Sequence, residues 1–173
     1  MKDKRIVPTG KERVMREDDF IVSKTDLTGR ITYGNSVFIE YSGYSEEELL
    51  GTQHNIIRHP EMPRADFKLL WDTIAQKKEI FAYVKNLAKD GSCYWVFANV
   101  TASLDNRGQT IGYYSVRRKP RTEAIAAVTP LYRAMLAAEQ RAGAKNAIDA
   151  GVKVLTDFLN EKGLSYDELV LAI

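Results

Sequence analysis

The sequence has few of the residues that make chemistry easy to find. Among 173 residues there is one cysteine, Cys93, and there are two histidines, His54 and His59. A lone cysteine forms no intrachain disulfide, so a reducing compartment is expected. Two histidines and one cysteine without metal-ligand spacing argue against a zinc site. No G-x-G-x-x-G or Walker loop occurs, and no nucleophile stands beside a base partner; a non-enzyme is expected. No apolar run approaches the roughly 20 residues of a membrane helix, and the largely polar first 20 residues hold no signal-peptide core. Net charge is only +2, without the clustered basic face that nucleic acid requires. The expectation is a cytoplasmic protein with no membrane span in this sequence.

Apolar residues make up 45% of the chain and charged residues 28%, which supports a packed core and not wholesale disorder. In residues 1–19, Lys2, Lys4, Arg5, Lys11, Arg13 and Arg16 interleave with Asp3, Glu12, Glu17, Asp18 and Asp19, the pattern of a solvated arm. Residues 20–120 alternate short strands with turns. Strands are predicted over 20–24 and 30–33 around a turn at 26–29. A helix opening at Asn35 follows, then a capping box from Ser45 to Glu48 with Tyr44 and Leu49 as its staple. Residues 53–63 lack periodicity, and Pro60 and Pro63 force extended geometry before them. Residues 64–77 return to helix, with Phe67, Leu70, Trp71 and Ile74 on one face.

Three strands are then predicted over 80–88, 92–104 and 110–118, with hairpin signals at Asp90-Gly91 and Asp105-Asn-Arg-Gly108. The sum is an α+β domain: a five-stranded antiparallel sheet with its helices on one face, plus C-terminal helices. After Pro120, Thr122 is placed to cap a helix over 123–141, with Ile125, Val128, Tyr132 and Met135 as its stripe. A second helix over 144–162 carries Ile148, Val152, Leu155 and Leu159, and Gly163 ends it. Another capping box, Ser165 to Glu168, starts a short last helix. The expected divisions are an arm (1–19), an α+β domain (20–120) and a helical segment (121–173).

Particular residues carry a family resemblance. The run Ser42-Gly-Tyr-Ser-Glu-Glu-Glu-Leu-Leu-Gly51 resembles the signature of PAS domains. The segment His54-Asn-Ile-Ile-Arg-His-Pro-Glu-Met-Pro63 resembles, more narrowly, the PAS domain of bacterial aerotaxis receptors. Trp71, Lys85-Asn86, Asp90-Gly91, Tyr94-Trp95-Val96, Gly112-Tyr113 and Pro130-Leu-Tyr132 extend the likeness over about residues 20–136. The resemblance implies a PAS fold around an FAD pocket that senses redox state or oxygen. It also implies signal transduction to C-terminal helices or to a chemotaxis-type or other signalling partner. The membrane span and methyl-accepting rod of such receptors are absent from this sequence, which leaves open a segment of a longer receptor or a standalone relative.

Eight residues are candidates for the cofactor site. Asn86 offers donor and acceptor to a flavin's polar edge. A three-residue loop at 89–91 sets Asn86 opposite Tyr94 and turns Tyr94, Val96 and Ala98 to the pocket, with Cys93, Trp95 and Phe97 on the other face; a two-residue loop reverses this. Arg58 and His59 either order the loop around FAD, Arg58 through its fork of donors, or serve as an exposed arginine and a loop-capping histidine. His54 either joins them or holds the loop. Trp71 is expected in the core that forms the pocket wall. Asn35 is read as a helix cap first and a ligand contact second. Arg117 points either at the ring or at solvent beside Arg118 and Lys119.

Two alternatives stand beside FAD. One is a gas sensor holding haem b on His59 or His54. The other is a ligandless interaction module whose pocket is filled by Phe67, Trp71 and Phe81. The C-terminal stripe needs a surface: the outer sheet face, a second copy of the chain in a homodimer, or the returning helix.

Overall fold

The computed structural model describes residues 6–173; Lys2, Asp3, Lys4 and Arg5 of the charged arm lie outside the described residues. Strands β1 (Ile21–Thr25), β2 (Ile31–Gly34), β3 (Ile80–Leu87), β4 (Cys93–Leu104) and β5 (Thr110–Arg118) form one antiparallel sheet in the order β2-β1-β5-β4-β3. Helices α1 (Ser36–Ser42), α2 (Glu46–Leu49) and α3 (Arg64–Ala75), with a 3-10 turn at His54–Ile57, fill the connection between β2 and β3. Helix α4 (Thr122–Lys162) breaks at Gly143, and α5 (Tyr166–Ala172) closes the chain.

Local chemistry accounts for the element ends. The Asn35 side chain accepts the Phe38 N–H and starts α1; both capping boxes form, Ser45 with Glu48 and Ser165 with Glu168. Thr122 does not cap α4. The cap position is Arg121, which makes no side-chain cap bond.

The β3–β4 hairpin fixes the face of every residue in the site. Ala88 N–H donates to Ser92 C=O and Gly91, at φ 85°, turns the chain, so the loop has three residues and Asn86 opposes Tyr94. Tyr94, Val96 and Ala98 accordingly lie buried with Ile21, Ile31, Phe38 and Ile74 in one core. The opposite parity packs under the C-terminal helices. Tyr83, Phe81, Trp95 and Phe97 meet Val128, Tyr132, Met135 and Leu155 there, with Trp95 stacked 6.4 Å from Tyr132. The sheet is thus covered on both faces.

Three expectations need correction. The stripe of α4 is centred on Ala124, Val128, Leu131, Tyr132 and Met135, with Ile125 half-buried at its margin. In the returning half Ala147, Gly151 and Leu155 are buried, whereas Val152 is exposed, because small residues let that half lie close. The arm is also not free in solvent over its described part. Thr9 N–H donates to Gly91 C=O, Cys93 N–H to Lys11 C=O and Arg13 N–H to Cys93 C=O, which covers the stretch of β4 that β5 does not reach. Met15 sits in the core at 2% exposure.

Candidate functional site

Between the sheet and α3 lies a cavity of about 190 Å³. Ile57, Leu70, Ile74, Val84, Ala98 and Val100 give it apolar walls, and Phe67 and Trp71 line it from α3. Its polar lining comes from Asn86 on β3, Arg117 on β5, Ser23 on β1, and His54, Asn55 and Arg58 on the irregular loop.

Arg117 is buried, with no acidic partner among the described residues. Its Nη2 donates to Ser23 Oγ at 2.6 Å, while Nε and Nη1 are sealed from solvent without a hydrogen-bond partner. The guanidinium carbon stands 4.7 Å from the Phe38 ring centroid. Burial pulls its pKa down to about 10, against a weaker opposing pull from Tyr94. Asn86 is 3% exposed, and its Nδ2 also lacks a partner. The cavity wall therefore presents three unmet donor atoms on two side chains.

His54 belongs to the same cluster. Its Nε2 lies 2.9 Å from Ser23 Oγ, and its ring stacks on Phe38 at 5.8 Å. Ser23 Oγ accepts from Arg117 and also meets His54 Nε2, so one hydroxyl joins the two side chains. Burial, reinforced by the nearby Arg117 charge, holds His54 neutral with its pKa down to about 3.

Arg58 lines the cavity, lies 4.3 Å from the Phe67 ring centroid and donates to Met62 C=O at 3.3 Å. The Arg58 and Asn86 backbones form a β-bridge, so the loop is pinned to the polar strand position it faces. Burial lowers the Arg58 pKa.

The other candidates sit elsewhere. His59 is 2% exposed but does not line the cavity; its Nδ1 accepts the Glu61 N–H at 3.1 Å, the loop-capping role. Asn35 does not line it either. Its Oδ1 accepts the N–H groups of Val22 and Phe38, and its Nδ2 donates to Phe20 C=O, which engages both ends of the amide in the fold. Tyr94 is fully buried on the cavity-facing side of the sheet, behind the lining, with its ring 5.8 Å from Tyr41 and its Oη unpartnered. Trp71 lines the cavity but is 39% exposed, edge-on to Tyr113 at 5.3 Å. It forms a rim and not a core wall.

The arrangement bears on both alternatives. Of the two histidines only His54 lines the cavity, with its Nε2 2.9 Å from Ser23 Oγ. Phe67 and Trp71 line the pocket, whereas Phe81 stacks on Phe97 at 5.6 Å on the opposite face. Sequence reasoning missed Ser23, which is 1% exposed and joins Arg117 to His54. The available signal was its parity with Ile21 on an inward face.

Comparison with known proteins places this geometry. The family described as the PAS fold matches residues 31–117, half of the chain. The chain belongs to the PAS family. It is 41% identical over 121 residues to the aerotaxis receptor of Escherichia coli, an alignment covering 70% of this chain and 24% of that one. The nitrogen fixation regulatory protein of Klebsiella pneumoniae is 30% identical over 97 residues, 56% of this chain and 20% of that one. The chain thus spans about a quarter or less of the length of these relatives. The light-state structure of the Aureochrome1 LOV photoreceptor shares the fold, with TM-score 0.57 and 20% identity over 66% of this chain and 90% of that one. No helix among the described residues is long and apolar enough to cross a membrane.

Proposed function

We propose that the chain is an aerotaxis-type sensory domain that holds FAD in the cavity beneath its sheet and relays the flavin's redox state to the helices that follow. The observation that carries this reading is the set of unmet buried donors, Asn86 Nδ2 with Arg117 Nε and Nη1. A buried donor left unpaired costs about 1–3 kcal/mol, so three on one wall suit a ligand edge rich in acceptors. A flavin ring has such an edge, and its flat faces match the apolar walls around it. Arg58, with its planar fork in the cavity lining, suits a phosphate or ring oxygen. The 41% identity with the E. coli aerotaxis receptor supports the same direction.

The flavin, when bound, supplies reversible electron storage; the protein's residues hold it and register its state. Asn86 could meet either an acceptor or a donor at the edge of a bound ring by turning its amide, whereas Arg117 can only donate. Arg117 is on the last strand, immediately before the segment leading to α4, so a shift there is passed to the helices as a change in population. On this reading residues 20–120 are the sensor, 121–173 the output and 1–19 an arm. The protein works in the cytoplasm without turnover, toward a chemotaxis-type or other signalling partner or a second copy of itself.

The purified protein should be yellow and should release FAD on heat denaturation. Absorbance followed by chromatography of the released pigment tests this. Release of FMN, a haem spectrum, or colourless protein that takes up no FAD would overturn it.

A further inference from the structure

Helix α3 opens without a cap of its own. Pro63 occupies the cap position and makes no side-chain hydrogen bond, yet first-turn amides need acceptors. They find them 74 and 75 residues downstream. Glu139 Oε1 accepts the Ala65 N–H and Oε2 accepts the Arg64 N–H, each at 2.9 Å. Glu139 is 4% exposed, so a carboxylate has been taken out of water and held by two amides at the positive end of a helix.

The returning half of α4 closes over this contact. A Cβ at Gly151 would stand 2.5 Å from Glu139 Oε1 and 2.8 Å from Ala65 Cβ, so only glycine lets the backbone lie there. Gly143, four residues beyond Glu139, breaks α4 with φ 75° and ψ 166°, a conformation open to glycine and costly for other residues. The carboxylate therefore sits beside a pivot.

One cation is common to the cavity and this contact. Arg58 lines the cavity and also an open groove of about 470 Å³ bounded by Arg64, Glu139, Gln140 and Gly143. Its charge is favoured by Glu139 and Asp66 and opposed by Arg64. Asp66 Oδ2 is sealed nearby without a hydrogen-bond partner.

We propose that Glu139 is the latch holding α4 on the first turn of α3, and that Arg58 couples this latch to what the cavity holds. A ligand acceptor that draws Arg58 toward the cavity takes positive charge from Glu139 and Asp66. Glu139, buried and left with the two amides alone, is then held less strongly, and α4 loosens about Gly143. The coupling rests on the cavity being a ligand site; the latch itself does not.

Site-resolved hydrogen exchange on the full chain as purified tests both parts. Glu139→Ala should speed exchange at the Arg64 and Ala65 amides about tenfold, the scale of a lost helix cap. Glu139→Gln, which keeps an acceptor without the charge, should fall between and serves if the alanine variant does not fold. Arg58→Met should raise exchange at the same two amides several-fold. Unchanged exchange in the Glu139 variants overturns the latch, and unchanged exchange in Arg58→Met overturns the coupling. Pigment content is read separately: Glu139→Ala should keep its colour, whereas a colourless wild type sinks the flavin reading and leaves both exchange comparisons decisive.

Discussion

Arg117 gives its Nη2 to Ser23 Oγ at 2.6 Å and leaves its other nitrogens buried without partners. Such an arrangement is poor for a protein that only needs to fold. Removing a guanidinium from water costs several kcal/mol unless charge or hydrogen bonds compensate, and one serine hydroxyl compensates little. On the proposed reading, the ligand edge completes its hydrogen bonds.

Arg117→Met therefore carries a sign test. Protein stripped of cofactor should become more stable by about 1–3 kcal/mol, because an apolar side chain of similar length replaces an uncompensated ion. Cofactor retention should fall in the same variant. Urea unfolding of the stripped protein and pigment content of the purified one measure the two effects. Destabilisation together with full retention would show that Arg117 is a structural residue.

Asn86→Ala removes the second unmet donor without touching the ladder, since its strand bonds are backbone bonds. Loss of one buried hydrogen bond is worth about 1–3 kcal/mol, so flavin affinity should weaken by roughly one to two decades. Equilibrium dialysis of FAD against wild type and variant measures it, with circular dichroism checking the fold. Equal affinities would take Asn86 out of the site.

The face of Asn86 was legible only as a choice between two loop lengths; the Ala88–Ser92 pairing with Gly91 at φ 85° selects the three-residue loop, and strand parity then carries that register along β3 and β4. The helix starts at Asn35, Ser45 and Ser165 were legible because cap and partner lie within three residues. Glu139 was not legible. The only hint was negative, a helix beginning at Pro63-Arg64 with no capping side chain, and nothing local tells where a partner 75 residues away will be. His59 misled because a loop histidine beside Arg58 reads as a pair, whereas backbone direction turns one to the cavity and the other to the Glu61 amide. The arm misled because its charges are real, with Arg13 paired to Asp90 and Arg16 to Glu40, while its attachment is through backbone bonds that composition does not reveal.

Two buried groups set opposite pH slopes. Burial and then the neighbouring Glu139 push Asp66 up to about 8, with Arg58 opposing, against about 4 in an unfolded chain. A raised carboxyl contributes stability below its unfolded value and loses it as pH climbs through 8. His54, held down to about 3 against about 6.5 unfolded, contributes above 6.5 and loses it as pH falls. Between about 4 and 6.5 the slopes oppose; from there to 8 Asp66 acts alone, costing up to about 1.4 kcal/mol per pH unit. Asp66→Asn should flatten stability between about 6.5 and 8 and steepen the loss below, where His54 is then unopposed. Urea midpoints at about pH 5, 6.5 and 8 decide it; parallel profiles for variant and wild type would show that Asp66 is an ordinary carboxylate.

The fold is shared with light-oxygen-voltage domains, so a light response is a fair test of the register. Cys93 on β4 pairs with Leu87 on β3, and its parity is that of Trp95 and Phe97, opposite to Tyr94. Its backbone is strapped to Lys11 and Arg13 of the arm, and burial raises its thiol pKa, which lowers the fraction of reactive thiolate. The loop over the cavity carries Ile57, an apolar side chain without a nucleophile. A covalent bond between Cys93 and a ligand in the cavity would have to form through the sheet. Blue light on the yellow protein should therefore leave no cysteine-dependent bleach that recovers slowly in the dark, and Cys93→Ala should behave as wild type. Absorbance after a light pulse gives the answer; a slow recovery lost in Cys93→Ala would place the thiol inside the cavity and overturn the pairing of Asn86 with Tyr94.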